Sequence, residues 1–142
     1  MQLDLALTTL QIKYLGGFDG ICWMMPTEPD DVVFIDIDHC IKDGIIKPWA
    51  QKVIDDFDSY TERSQSEEGL HILIEGKKPG KRCRKHGQPY EIYDHLRPCY
   101  LTGDVVGAHT TIEARQEPLD RLYNELFPEA NEPQQRAGPE NR

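Results

Sequence analysis

Two aspartates with one isoleucine between them, Asp36 and Asp38, close an apolar run in the stretch VVFIDIDHC, residues 32–40. Side chains of a strand alternate faces, so the two carboxylates point the same way, roughly 6.6 Å apart along the backbone. Unit charges at that separation repel by about 2.5 kcal/mol at an effective dielectric of 20. Solvation, salt bridges or a divalent cation can relieve this. Hard oxygen ligands converging from one face suit Mg2+ or Mn2+. A lone DxD is also what a strand shows when it reaches the surface, so other segments must decide.

In SQSEEGLHILI (64–74) a Ser- and Gly-containing turn runs into a strand, with His71 near its start. A histidine there could hold a phosphate or donate a proton. In YEIYDH (90–95), Glu91 and Tyr93 share one face of a strand while Ile92 and Asp94 share the other. Glu91, flanked by Tyr90 and Ile92, is a carboxylate in an apolar strand and needs a partner. Three carboxylates and a histidine on adjacent strands make a divalent-metal site for phosphate chemistry. The same donor types serve a metal-dependent nuclease or other phosphodiesterase, and a non-catalytic nucleotide- or DNA-binding module is a further reading.

The charge balance bears on these readings. The chain of 142 residues carries a net charge of −9, which opposes wholesale nucleic-acid binding. Yet KKPGKRCRKHG (77–87) gathers Lys77, Lys78, Lys81, Arg82, Arg84 and Lys85 into one loop able to bind phosphates. Within it Cys83 and His86 have a metal-like spacing, but no second close pair accompanies them. The four cysteines form no CxxC pair, and the N-terminus lacks a signal-peptide pattern. Reduced thiols and a cytoplasmic location are expected. No apolar run is long enough to span a bilayer, so no membrane partner is expected.

These residues need a sheet to position them. Strands are predicted over GICWMM (20–25), residues 32–38, SYTERS (59–64), LHILIEG (70–76), YEIYDH (90–95) and CYLTG (99–103). Helical spacing of Leu3, Leu7, Leu10 and Tyr14 predicts a first helix. Pro48 begins a second, with Trp49, Val53, Ile54 and Phe57 on one face, of which Trp49, Val53 and Phe57 should meet the sheet. A last helix falls within residues 111–127, where Pro118 must begin its main part or kink it. The later strands lie too close together for helical crossovers. The expected fold is an α/β (α+β) two-layer sandwich with a mixed, mainly antiparallel sheet and helices on one face. One domain should occupy residues 1–128, and the polar segment 129–142 should be a disordered tail.

The order of these motifs resembles the archaeo-eukaryotic primase superfamily, and more narrowly the primase–polymerase domain of phage, plasmid and archaeal viral replication proteins. The likeness is carried by the apolar strand ending in DxD, the Ser-containing turn with Gly-x-His, and the acidic strand EIYDH followed by CYLTGD. It covers roughly Gly17 to Phe127. It implies an RRM-like catalytic sheet and template-directed nucleotidyl transfer with two divalent metals, Mg2+ or Mn2+. Asp36 and Asp38 match the residues that bind both metals. His71 matches the histidine contacting the incoming nucleotide's phosphates, and Glu91 the third acidic position. Asp94 is a further metal candidate, although alternation turns it away from Glu91. Ser64, Ser66 and Gly69 lie in the turn that would approach the triphosphate. The basic loop would follow the nucleic-acid backbone. DNA template or primer and nucleoside triphosphates are the implied partners, with a replicative helicase or accessory priming domain in trans. This chain departs from its relatives at Glu67 and Glu68, where they have an uncharged, glycine-rich turn. Two anions there oppose a triphosphate unless they face solvent.

Overall fold

The β-branched and aromatic run from Val32 forms strand β2 (Val32–Ile37), the centre of the sheet in this computed structural model, which describes residues 21–131. The helix expected on Leu3, Leu7, Leu10 and Tyr14, and the tail beyond residue 131, lie outside the described residues. Before β2 comes β1 (Ile21–Met24). After it come β3 (Ile41–Lys42), β4 (Ile45–Ile46), helix α1 (Pro48–Phe57), β5 (Thr61–Arg63) and β6 (Leu70–Glu75). Then follow β7 (Tyr90–Tyr93), β8 (Pro98–Leu101), β9 (Glu113–Ala114), helix α2 (Gln116–Leu126) and a 3-10 turn (Pro128–Asn131).

The main sheet runs β5-β6-β2-β7, all antiparallel, and β9 joins the outer edge of β6 in parallel. The fold is mixed α+β with a mainly antiparallel sheet. The alternation read in the sequence holds. Val33, Ile35 and Ile37 are buried with Leu70, Ile72, Ile74 and Ile92 beneath both helices. The opposite face carries Phe34 and Leu73, and there β1 and β8 form a separate antiparallel ribbon over part of the sheet. The expected two layers therefore gain a partial third. Met25, Cys99 and Leu101 pack inward from the ribbon side. The acidic end of β2 lies beyond this cluster.

Helix α1 meets the core through Ala50, Ile54 and Phe57, with Val53 at its margin. Trp49 does not bury as expected. It is 39% exposed and meets Tyr90 edge-on at 6.0 Å between ring centroids. The i, i+4, i+7 stripe centres on Ala50, whose small side chain lets the helix approach the sheet closely. Helix α2 buries Leu119, Leu122, Tyr123 and Leu126. Pro118 sits in its first turn, where a missing N–H removes no intrahelical bond. The small β3–β4 hairpin turns on Asp43 and Gly44, at φ 52° and 76°. Both angles fit a two-residue hairpin turn of the primed kind. None of the described helices is long and apolar enough to cross a membrane.

Candidate active site

The pairing register places a row of polar residues straight across the sheet. Glu62 on β5 opposes His71 on β6, His71 opposes Asp36 on β2, and Asp36 opposes Glu91 on β7. Directly paired residues project to the same face. This row emerges where the ribbon's apolar cover stops. Asp38 follows just beyond β2, its N–H donating to the Pro89 carbonyl at 2.9 Å. His39 then takes φ 54°, a left-handed conformation that turns the chain away.

Asp36, Asp38 and Glu91 each offer an oxygen within 4.8 Å of the others. Among the described residues no other cluster of carboxylate, His and Cys groups has ligand spacing. The oxygen donors fit a hard divalent cation, since one ion can reach all three. Burial pushes the Asp36 carboxyl up to about 6. The His71 ring opposes this, Asp38 and Glu91 reinforce it by like-charge repulsion, and Arg97 opposes it weakly. Such a carboxyl is poorly satisfied without a positive partner. Arg97 also lies over the Tyr93 ring, 4.6 Å from its centroid.

Asp94 does not join the triplet. It is buried, with one oxygen 2.7 Å from Nδ1 of His95 and 3.8 Å from the Lys78 ammonium. Just past β7, it lines a cavity with Asp30, Asp31, Lys77, Lys78 and Lys81. The turn after β5 is closed by Ser64, whose Oγ accepts the Gly69 N–H at 3.1 Å and lies 3.0 Å from the Ser66 hydroxyl. At Gly69 a Cβ would lie 2.8 Å from the Ile37 carbonyl oxygen, so glycine is required for this close approach. Glu67 and Glu68 are both exposed, which limits their repulsion of an anion.

The basic loop lies along the outer edge of β7, where the Ile92 N–H donates to the Cys83 carbonyl and Arg84 bridges to Glu91. This splits its cations. Arg84 and Lys85 line a cleft of about 470 Å³ with Asp38, His86, Gln88 and Glu91, and the Arg84 guanidinium is 3.7 Å from Glu91. Lys77, Lys78 and Lys81 line a different cavity with Asp30, Asp31, Asp94 and His95, at the other end of β7. The Lys78 side chain is 2% exposed and its ammonium donates to Cys83 Sγ at 3.1 Å. Arg82 is engaged by Glu129 and lies over the Phe127 ring. Cys83 thus serves the loop's own packing, apart from any cluster with His86.

Glu62 is the site residue that the sequence hid. It is fully buried and takes the Tyr60 hydroxyl at 2.7 Å, the Thr102 amide at 2.7 Å and Nδ1 of His71 at 3.0 Å. Burial alone would raise its carboxyl. Hydrogen bonds from His71, the Thr102 amide and Tyr60 outweigh burial and hold it below the ordinary carboxylate value. In the sequence it stands between Thr61 and Arg63, which look like neighbours on a solvated strand. The one available signal was Tyr60 two residues earlier, on the same face.

A DNA primase-polymerase of Nitratiruptor phage NrS-1 is 32% identical to this chain over 103 residues. The match covers 68% of this chain and 14% of that protein, so the chain spans a small part of its relative's length. No family model matches the sequence. Fold and site together describe a mixed α+β domain with an acidic cluster on its central strands, related in sequence to a phage primase-polymerase.

Proposed function

We propose that this chain is the catalytic domain of a DNA primase–polymerase of the archaeo-eukaryotic primase type, its sheet the RRM-like sheet of that superfamily. It would carry out template-directed nucleotidyl transfer from nucleoside triphosphates with two divalent cations, Mg2+ or Mn2+. The observation that carries the proposal is the row itself. His71 and Glu91 flank Asp36 in register, and Asp38 completes the acidic triplet. Similarity to a protein named as a primase-polymerase supports it.

Asp36, Asp38 and Glu91 would hold the cations. Bound divalent ions supply Lewis acidity at the phosphoryl oxygens and lower the pKa of an attacking hydroxyl. Nε2 of His71 lies 3.8 Å from Asp36 Oδ1, beside the triplet and able to contact a phosphate held there. Arg84 and Lys85, at the cleft beside Asp38, would offset the polyphosphate or primer charge that Glu91 and Asp38 repel. The attacking group is the 3′-hydroxyl of a primer or an initiating nucleotide, and the leaving group is pyrophosphate.

Incorporation of labelled nucleotide on a primed template, with Mn2+ or Mg2+ against a chelator control, tests the proposal. Metal-dependent extension that is lost in Asp36→Asn and Asp38→Asn supports it. Cleavage of single strands without extension would instead show a nuclease, and binding without turnover a non-catalytic module.

A further inference from the structure

We propose that Glu62 is a positioning residue for His71: its carboxylate fixes a proton on Nδ1 and thereby presents Nε2 to the reacting groups. The inference deepens the nucleotidyl-transfer reading and rests on it for the role of His71. The pairing itself can be measured without turnover.

A fully buried carboxylate is costly unless several donors satisfy it. Glu62 has them on both oxygens. Oε1 accepts from the Tyr60 hydroxyl, with the Gly103 N–H at 3.4 Å. Oε2 accepts from the Thr102 N–H, lies 3.0 Å from the Thr102 hydroxyl and meets Nδ1 of His71. The Thr102 hydroxyl is also within reach of the Arg63 carbonyl. These donors stabilise the ionised form, and an ionised carboxylate only accepts. Nδ1 must therefore be the N–H that donates across the 3.0 Å contact.

The other ring nitrogen is left free for chemistry. Nε2 stands 3.8 Å from Asp36 Oδ1, outside hydrogen-bond distance. The ring rests against Phe34, with centroids 4.9 Å apart and planes tilted by 46°. Phe34 and Asp36 are two residues apart on one strand face, so a single strand sets both the wall behind the imidazole and the carboxylate in front of it. Glu62 supplies the remaining constraint, a hydrogen bond that fixes ring orientation and tautomer. For metal-ligating histidines, removing such an orienting partner typically costs about 10- to 100-fold in metal affinity or activity, and a loss of that order in activity is expected here.

Long-range 15N–1H NMR of the chelator-treated wild-type chain tests the pairing directly. In its neutral form His71 is expected to carry its proton on Nδ1, and in Glu62→Gln to shift toward an Nε2–H population. Wild-type His71 in the Nε2–H tautomer overturns the proposal, whether or not the variant folds. In primer extension, Glu62→Gln should lose about 10- to 100-fold in kcat/KM for the nucleotide. Its Mn2+ affinity should stay within about twofold, because Glu62 is outside the metal triplet. Unchanged extension by a folded Glu62→Gln chain, where His71→Ala abolishes it, overturns the proposal too. Absence of extension by the wild-type chain overturns the nucleotidyl-transfer reading, and the NMR result then still decides the pairing.

Discussion

Asp36 and Glu91 face each other across β2 and β7, directly opposed in register and on the same side of the sheet. Antiparallel pairing rarely sets like charges in this position, because direct opposition is destabilising. The nearby Asp38 adds a third negative charge.

Metal affinity should therefore depend on all three residues. Asp36→Asn, Asp38→Asn and Glu91→Gln are each expected to weaken Mn2+ binding by tenfold or more, about 1.4 kcal/mol, read by isothermal titration calorimetry. Asp94→Asn should leave it unchanged, since that side chain is paired with Lys78 and lies outside the triplet. Equal loss in Asp94→Asn would remove Glu91 from its place as third ligand.

The raised carboxyl of Asp36 sets a pH dependence. In the folded chain it binds its proton more tightly than in the unfolded chain, from an ordinary 3.8 up to about 6. The stability this lends is fully present below the unfolded value and is lost as pH rises through about 6. The metal-free wild-type chain should lose on the order of 3 kcal/mol over that window. Asp36→Asn should not show this loss. Mn2+ competes with the same proton, so its binding should tighten as pH rises through 6. Urea melts with and without Mn2+ from pH 4 to pH 8 check both statements.

Gly69 is held by space. In Gly69→Ala the new methyl would meet the Ile37 carbonyl, which is backbone and cannot rotate aside. A loss of about 1–3 kcal/mol is expected, read as a lowered midpoint in thermal or urea unfolding. Wild-type stability in this variant would mean that the turn relaxes freely.

The two halves of the basic loop should behave differently. Arg84→Ala with Lys85→Ala is expected to weaken binding of primed DNA for all sequences alike. It should also flatten the salt dependence by roughly one unit per lost phosphate contact. Lys77→Ala with Lys81→Ala should change the slope less, because those residues line the cavity beside Asp94. Titrations at several salt concentrations distinguish the pairs. The reverse ranking would place the nucleic-acid path at the opposite end of β7.

Lys78 belongs to the fold. Its ammonium is buried beside Asp94 and Cys83, so Asp94→Ala leaves a buried charge without its carboxylate partner. A cost of about 3 kcal/mol is expected, checked by urea unfolding.

The local pattern of residues was enough to place Asp36 and Asp38 on one face, Val33, Ile35 and Ile37 on the other, and Glu91 apart from Asp94. Strand alternation is a property of the backbone, and it survives any tertiary arrangement. Helix α1 was legible as a helix for the same reason, but the burial of Ala50 in preference to Trp49 was not. That choice depends on how closely the helix approaches the sheet. Strand order is likewise non-local. Nothing within β5 reveals that Glu62 will stand beside His71, or that Thr102, forty residues on, will supply its amide. The six cations of the basic loop are close in sequence, yet tertiary structure sends three to one end of β7 and two to the other, and turns Arg82 to Glu129 and Phe127. It does so because the loop's backbone pairs along the β7 edge. Local side-chain chemistry determined which residues could bind a metal or a phosphate. Only the register of four strands decided which of them meet, because register is fixed by long-range hydrogen bonding and burial of one face.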